Sequence, residues 1–391
     1  MARARMAQRA RWLCGPWPCA RSSLRMVALA AALAWAAAGL AAEPGSEVPS
    51  RVSDVRLELQ FEGLAWGDGL PLRTARNGMH GERPDDASRL VTHGRLAVGI
   101  VRDDWKLEAF WRHDDRLEFH PDTADLLFAL RNDVPLEPDR QYRLRIDASG
   151  IEGAGIGVAR AFGGDSVTAG VRVNLLRATA LIDGRLDGRL RADADGEITA
   201  DARLDYGYST DDVLQRPRQR HDAGWGATLD LSLQVQWSDA WRMEAKVEDA
   251  LALVHWRDAP YTRARLRLAR PRLAADGTLD NAALLSGRES ARARWQRLPV
   301  RYQLLVEHLL ARDLHLYGRL RGIDDDVLPE FGLRLQTGAG SQLSIGWNTR
   351  ASALLLGFST APATLRLGSD TIDAQTARWL ELDLALATDL Q

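Results

Sequence analysis

The chain has 391 residues, 51 basic and 53 acidic side chains, a formal net charge of −2 and two cysteines. Arg3, Arg5, Arg9, Arg11, Arg21 and Arg25 precede an apolar run from Met26 to Ala42, the pattern of a secretory leader. A cut after Ala42 leaves Glu43-Pro44 as the new start, removes six arginines and no acid, and takes the charge from −2 to −8. Cys14 and Cys19 go with the leader, so the mature chain has no disulfide, thiol nucleophile or thiolate metal site, and its acidity argues against nucleic acid. The other reading of so long a run is an uncleaved anchor; no later apolar run is long enough for a helical span.

After the leader the apolar residues recur every second position, the period of a strand. Val55, Leu57, Leu59 and Phe61 form the first strand, followed by a Gly-, Pro- and Asp-rich loop from Gly67 to Ser88. Leu96, Val98 and Ile100 pair through a short turn with Leu107 and Ala109, bounded by Trp105 and Trp111. Between His113 and Gln141 the period changes, and Ala124 to Leu130 reads as a turn or two of helix ended by Asn132, a lid or plug on a loop. Strand pieces resume at Tyr142, Ile156 and Val167.

The most regular stretch runs from Ala180 to Glu248 in four segments. Ile182, Leu186 and Leu190 oppose Asp183, Arg185, Asp187, Arg189 and Arg191; after the turn signal Asp195-Gly196, Leu204, Tyr206 and Tyr208 oppose Asp201, Arg203 and Asp205. The third segment carries Leu229, Leu231 and Leu233 between Trp225 and Trp237, with Asp230 and Ser232 opposite. The fourth sets Trp241, Met243 and Val247 against Arg242, Glu244, Lys246 and Glu248. Thirteen residues of strand reach roughly 40 Å and, tilted by about 45°, project to roughly 28 Å, close to a bilayer's hydrocarbon thickness. Long strands, apolar on one side, charged on the other and ended by aromatics, call for an all-β antiparallel transmembrane β-barrel. A large soluble sheet with one face on a core gives the same alternation.

Beyond Pro260-Tyr261, Arg263, Arg265 and Arg267 form a one-sign row, and shorter pieces continue to Leu386. The pieces amount to about 14 to 18 strands in a single unit from residue 43 to 391. The expected lumen-facing residues are Arg185, Asp187, Arg189, Asp201, Arg203, Asp230, Glu244, Arg263, Arg265 and Arg267. Trp105, Trp111, Tyr206, Tyr208, Trp225, Trp237 and Trp241 are expected at the membrane interfaces. The arginine row either selects anions or pairs with Glu244 and Glu248.

This pattern from Val55 to Leu390, with the segment Trp256-Arg257-Asp258-Ala259-Pro260-Tyr261-Thr262, resembles Gram-negative outer-membrane β-barrel proteins of an uncharacterised family. The resemblance implies an outer-membrane location and, as partners, membrane lipid, lipopolysaccharide and the barrel-assembly machinery. Such barrels end their last strand on an aromatic; here the strand begins at Trp379 and runs to Asp389-Leu390-Gln391.

Signals for chemistry are thin. Gly164-Asp165-Ser166 starts like a serine hydrolase motif but lacks the later Asp and His, and Asp324-Asp325-Asp326 lacks the interleaved spacing of a calcium loop. His113, Asp114 and Asp115 are adjacent on a strand and point to opposite faces. The expectation is therefore no catalytic centre, metal or cofactor, and a pore or binding barrel for a small solute. A structural scaffold of the envelope is the alternative, ahead of an outer-membrane hydrolase or a soluble periplasmic β-protein. The exported protein should begin near Glu43 and contain no thiol; intact mass spectrometry checks this, and a retained Cys14 or Cys19 would contradict the leader.

Overall fold

The computed structural model describes residues 55–194, 197–210, 221–268, 272–273, 279–280 and 283–390, so the leader, the Asp195-Gly196 turn and most of the charged loop after Tyr208 lie outside the described residues. The strands are β1 (Val55–Asp68), β2 (Arg89–Arg102), β3 (Trp105–Phe119), β4 (Gln141–Gly163), β5 (Val167–Ala192), β6 (Ile198–Tyr208), β7 (Gly224–Ser238), β8 (Trp241–Leu268), a small pair β9 (Arg272–Leu273) and β10 (Leu279–Asp280), β11 (Ala283–Arg297), β12 (Arg301–Ala311), β13 (Leu314–Ile323), β14 (Asp326–Thr337), β15 (Ser341–Asn348), β16 (Ala353–Ser359), β17 (Ala363–Ser369) and β18 (Trp379–Leu390). Two helices are described, α1 (Leu72–Arg76) and α2 (Pro121–Arg131).

All pairings are antiparallel, and β18 closes on β1 from Val55↔Leu390 to Trp66↔Trp379. The result is a closed barrel of 14 strands with two extra ones. β5 carries β7 along its first half and β6 along its second, and β8 carries β12 and then β11 in the same way. Thus β6 shares a track with β7, and β11 shares one with β12. The short turns at 103–104, 164–166, 239–240 and 312–313 lie at the end of the barrel that holds Val55 and Leu390, and the long connections lie at the other.

The outward side chains form an apolar band. Val171, Val173, Leu175, Leu231, Leu251, Phe331, Ile345 and Leu356 are all exposed large hydrophobics, a composition that only lipid makes stable on a surface of this extent. Trp105, Trp237 and Trp241 stand at the short-turn end, and Trp225, with Trp295 beside it, stands at the other. Trp225 and Trp237 are twelve residues apart, about 40 Å of strand and about 30 Å when tilted. Trp111 is also outward, stacked on His113 with ring centroids 6.1 Å apart.

The band stops at Leu175 on β5 and at Leu253 on β8, although both strands continue for more than ten residues. The halves of β4, β5 and β8 beyond that level, with β6 and β11, form a sheet that rises out of the barrel at the long-loop end. Its outer face is apolar but covered: Leu126 of α2 packs with Tyr142, Leu144, Leu190, Ala200 and Ala202, and Leu186 lies against this cluster. Leu186, on the apolar side of its segment, is thus packed in protein and not in lipid. The segment between His113 and Gln141, expected as a lid or plug, makes a helix that covers the outside of the rim and does not enter the lumen.

The ends of α2 are written in its sequence. His120 caps it, accepting a hydrogen bond from the Asp122 N–H, Pro121 fits the first turn, and Asn132 ends it with its N–H on the Phe128 carbonyl. Burial raises the Asp122 carboxyl, but hydrogen bonds from Arg140 at 2.8 Å and the Arg143 N–H at 3.1 Å outweigh this and hold it below its ordinary value. That tie between helix and sheet is present above the ordinary carboxylate range and is lost only as pH falls through the lowered value.

Tyr206 and Tyr208 also depart from expectation. They are buried on the outer face of the rising sheet, stacked at 4.6 Å, with the Tyr208 hydroxyl 3.1 Å from Thr262 Oγ1, because β6 lies wholly beyond the apolar band. Within the band, arginine at Leu231 should cost about 2–4 kcal/mol, whereas arginine at Ser232, on the inner wall, should cost less. Urea titration of protein refolded into vesicles measures both, and equal costs would mean that the outward band does not meet lipid.

Candidate functional site

The inner wall of the barrel carries the charge. From β1 to β3 the inward rows bring Glu58, Glu62, Arg95, Lys106, Glu108, Arg112 and Asp114, and glycine recurs beside them. A Cβ on Gly155 would meet the Phe110 ring at 2.6 Å, and one on Gly157 would meet Asn174 Oδ1 at 2.4 Å. Small residues on one strand therefore make room for long ones on the next.

Two ion-pair networks cross the lumen. In the first, Arg112 on β3 donates to both oxygens of Asp249 on β8, at 2.9 and 2.7 Å, and to Asp114 at 2.7 Å. Arg301 on β12 reaches back to Asp114 at 2.6 Å and to Glu248 at 3.0 Å. Arg172 joins Asp230 at 2.7 Å to Glu108 at 3.3 Å, and Arg95 also donates to Glu108. β3 and β12 lie five tracks apart, so the Arg301–Asp114 pair spans the opening and does not follow the wall. In the second network Glu330 on β14 accepts from Tyr317 at 2.8 Å and from Arg366, Arg366 lies 3.3 Å from Glu381, and Arg321 on β13 donates to Glu381 on β18. Nearer the long-loop end Arg116 pairs with Asp324 and Arg89 with Asp326, again across the opening.

These pairs leave a small cavity of about 20 Å³, lined by residues that include His93, Asp114, Arg116, Gly150, Pro299 and Arg301. That is room for about one water. Charges this buried are costly to desolvate, and the bidentate Arg112–Asp249 geometry with its extra bonds from Asp114 and Arg301 is what offsets the cost.

Of the residues expected to face the lumen, Asp230 joins the first network and Glu244 lies inward, 3.0 Å from Lys246. The other eight are placed elsewhere. Arg185, Asp187, Arg189, Asp201, Arg203, Arg263, Arg265 and Arg267 occupy the inward-continuing face of the rising sheet, where no opposite wall among the described residues encloses them. The arginine row does not pair with Glu244 and Glu248, because these belong to the same strand, β8, and not to a neighbour. Its partners are on β6: Arg263 lies 3.1 Å from Asp205, and Arg265 lies 2.7 Å from Asp201.

Sequence reading passed over Arg112, Asp249, Arg301, Arg321, Arg366 and Glu381. Asp249 had a signal. It occupies the row of Met243, Val247, Leu251 and Leu253, where a carboxylate has no business in lipid; a bulge opposite Leu229/Leu231, with Asp249 at φ 57°, turns it inward. The candidate motifs for chemistry are absorbed structurally. Gly164 to Ser166 is the β4–β5 turn, closed by the Gly164 N–H on the Val167 carbonyl, and Asp324 and Asp326 are held by arginines. Asp114 points inward, while His113 and Asp115 share the opposite face at 2.7 Å.

Removing one partner of a buried pair exposes the cost of the other. Arg112→Met should destabilise the barrel by about 3–5 kcal/mol, and adding Asp249→Leu should recover much of the loss. Urea unfolding in detergent checks this, and an unchanged midpoint for Arg112→Met would show the network to be dispensable.

No family model matches the chain, and no curated protein is similar to it in sequence. Among solved structures, the toluene transporter TbuX of Ralstonia pickettii is 9% identical, with a TM-score of 0.43 over 87% of this chain and 90% of its own. The toluene transporter TodX of P. putida is 11% identical, with a TM-score of 0.41 over 86% and 88%. The translocator domain of the autotransporter NalP from Neisseria meningitidis is 10% identical, with a TM-score of 0.28 over 97% and 99%. Likeness of this size carries nothing about solute or mechanism. It is the closed wall, the outward apolar band and the charged interior that make this chain a transmembrane β-barrel.

Proposed function

We propose that this barrel resides in the outer membrane and passes a small hydrophilic solute through its lumen, with the two ion-pair networks as its closed gate. The observation that carries the reading is how the lumen is shut. It is crossed by side chains, through pairs such as Arg301–Asp114 and Arg321–Glu381 between strands that are not neighbours, with an apolar cluster of Trp66, Val91, Ile323, Leu328 and Trp379 beside them. No backbone segment among the described residues fills it. Side-chain pairs can exchange partners with an entering polar or charged solute, since each lost bond is replaced by another.

The same reading gives the barrel its surrounding partners. The outward band meets lipid, the rim with its helices meets the lipopolysaccharide headgroups, and the barrel-assembly machinery inserts the closed sheet. Electrostatic steering by the lumen is weak, because acids and bases alternate along it and cancel at a distance.

A second reading, an envelope scaffold with a permanently shut lumen, is favoured by the smallness of the cavity beside Asp114 and Arg301, which has room for roughly one water. Planar-bilayer recording separates the two. The wild type should conduct little, and Arg321→Ser with Glu381→Ser should raise conductance several-fold by opening the second network. If that variant, shown folded by heat-modifiable gel mobility, conducts no more than the wild type, the transport reading fails and the scaffold stands.

A further inference from the structure

The rising sheet shows the same inward side that lines the lumen below, and there its charges are open to solvent. The Arg263 side chain is 69% exposed and that of Arg185 66%. On this face β8 contributes Arg263, Arg265 and Arg267, and β11 contributes Arg288, Arg292 and Arg294, with no acid from either. Against them stand Asp201 and Asp205 on β6, Asp183 and Asp187 on β5 and Asp147 on β4, with Arg294 paired to Asp183. But β4, β5 and β6 add further arginines to the same face, so arginine remains in local excess in a chain whose total charge is −2.

The register makes the excess a matter of design and not of composition. Arg143 stands directly opposite Arg189, Arg203 opposite Arg265, and Arg263 opposite Arg288. Like charges across a strand pair destabilise a sheet, and the acids on the other flank, Asp201 beside Arg189, Asp187 beside Arg203 and Asp205 beside Arg263, offset only part of the cost of three such pairs on one face. A bound polyanion would remove that cost. Along each strand alternate residues repeat at about 6.6 Å and neighbouring strands lie about 4.8 Å apart, and the sheet curls so that Arg294 on β11 reaches Asp183 on β5, so the guanidinium groups form a closely spaced concave array suited to a chain with repeated anionic groups.

We infer that this face docks an acidic polysaccharide, a chain of uronic-acid type, at the long-loop end of the barrel. Guanidinium forks match carboxylates in geometry as well as charge. The direction of the face decides against lipid headgroups of the surrounding membrane. Those reach the outer side of the sheet, which α2 and the Leu126 cluster cover, whereas the arginines look across the barrel axis. Nucleic acid is disfavoured because no row of exposed aromatic side chains accompanies the described arginines to stack bases. Docking here does not depend on whether the lumen conducts.

The test is fluorescence anisotropy on the full-length protein in detergent, with a fluorescein-labelled oligogalacturonate as probe and a neutral oligodextran of equal length as control. The acidic probe should bind, with affinity falling as salt rises, and the dextran should not. Arg263→Ser with Arg265→Ser and Arg267→Ser should weaken binding about tenfold or more, each lost charge contributing a part. Asp201→Asn with Asp205→Asn should tighten it several-fold by freeing Arg265 and Arg263, a gain that misfolding does not produce. Heat-modifiable mobility confirms the barrel in each variant. Binding that is unchanged in the triple serine variant, equal binding of dextran, or arginine-dependent binding that prefers lipid A micelles over the glycan would each overturn the proposal.

Discussion

A bilayer offers no hydrogen-bond partner to a strand edge, and this one constraint orders the whole molecule. It forces β18 back onto β1, so the wall closes, and closure creates an interior that must be filled. The interior is filled with arginine–carboxylate networks and with apolar clusters, Phe110, Leu176 and Trp256 in one and Trp66, Leu328 and Trp379 in the other. Each buried charge is held by at least one directed partner, as Arg112 is by Asp249 and Asp114. Glycines such as Gly155 and Gly157 on the inner wall are the counterpart of that choice, since a Cβ there would collide with the side chains that cross. The wall is thus smooth and apolar outside, where lipid averages over details, and specific inside, where every pair has a fixed geometry.

Much of the wall was legible from alternation. Leu229, Leu231 and Leu233 between Trp225 and Trp237 give the strand, its length and its lipid face directly, and all of them lie on β7. The continuity of β5 was not legible. Its outward residues are odd-numbered up to Leu175 and even-numbered from Ile182, because an irregularity opposite Glu152/Gly153 takes up one extra residue near Thr179. Read along the chain, that change of phase resembles the end of one strand and the start of another. β8 changes phase in the same way opposite Arg292/Arg294, which is why its arginine row was assigned to a separate strand with Glu244 and Glu248 as neighbours.

The candidate site was harder still to read, for a geometric reason. Alternation says that Arg301 and Asp114 point inward, but only the order of tracks around the wall says that they meet. Nothing local to either residue encodes a partner 187 positions away. Asp249 is the exception. A carboxylate in a lipid-facing row contradicts its own surroundings, and such a conflict between local pattern and fold marks a bulge or a function.

The two changes of phase fall at one level, and that level divides the molecule. Ile151, Leu181, Val254 and Trp256 pack there from the inner side, and Trp256 Nε1–H donates to Gln296, whose amide reaches the Gly150 carbonyl at 3.0 Å. The Trp256 to Thr262 segment, noticed first as a motif, is this junction. Below it, an inward charge faces an opposite wall and finds a partner across the lumen. Above it, the opposite wall has ended at the Asp324 turn while β4, β5, β8 and β11 run on, so the same inward row meets water. In the lumen an unmatched arginine would be forbidden by its desolvation, and there the charges pair; on the sheet above, solvent tolerates Arg203 opposite Arg265, and excess becomes affordable. One alternating pattern thus has two meanings, fixed by what stands across from it: closure where there is a facing wall, and a surface for an outside partner where there is none.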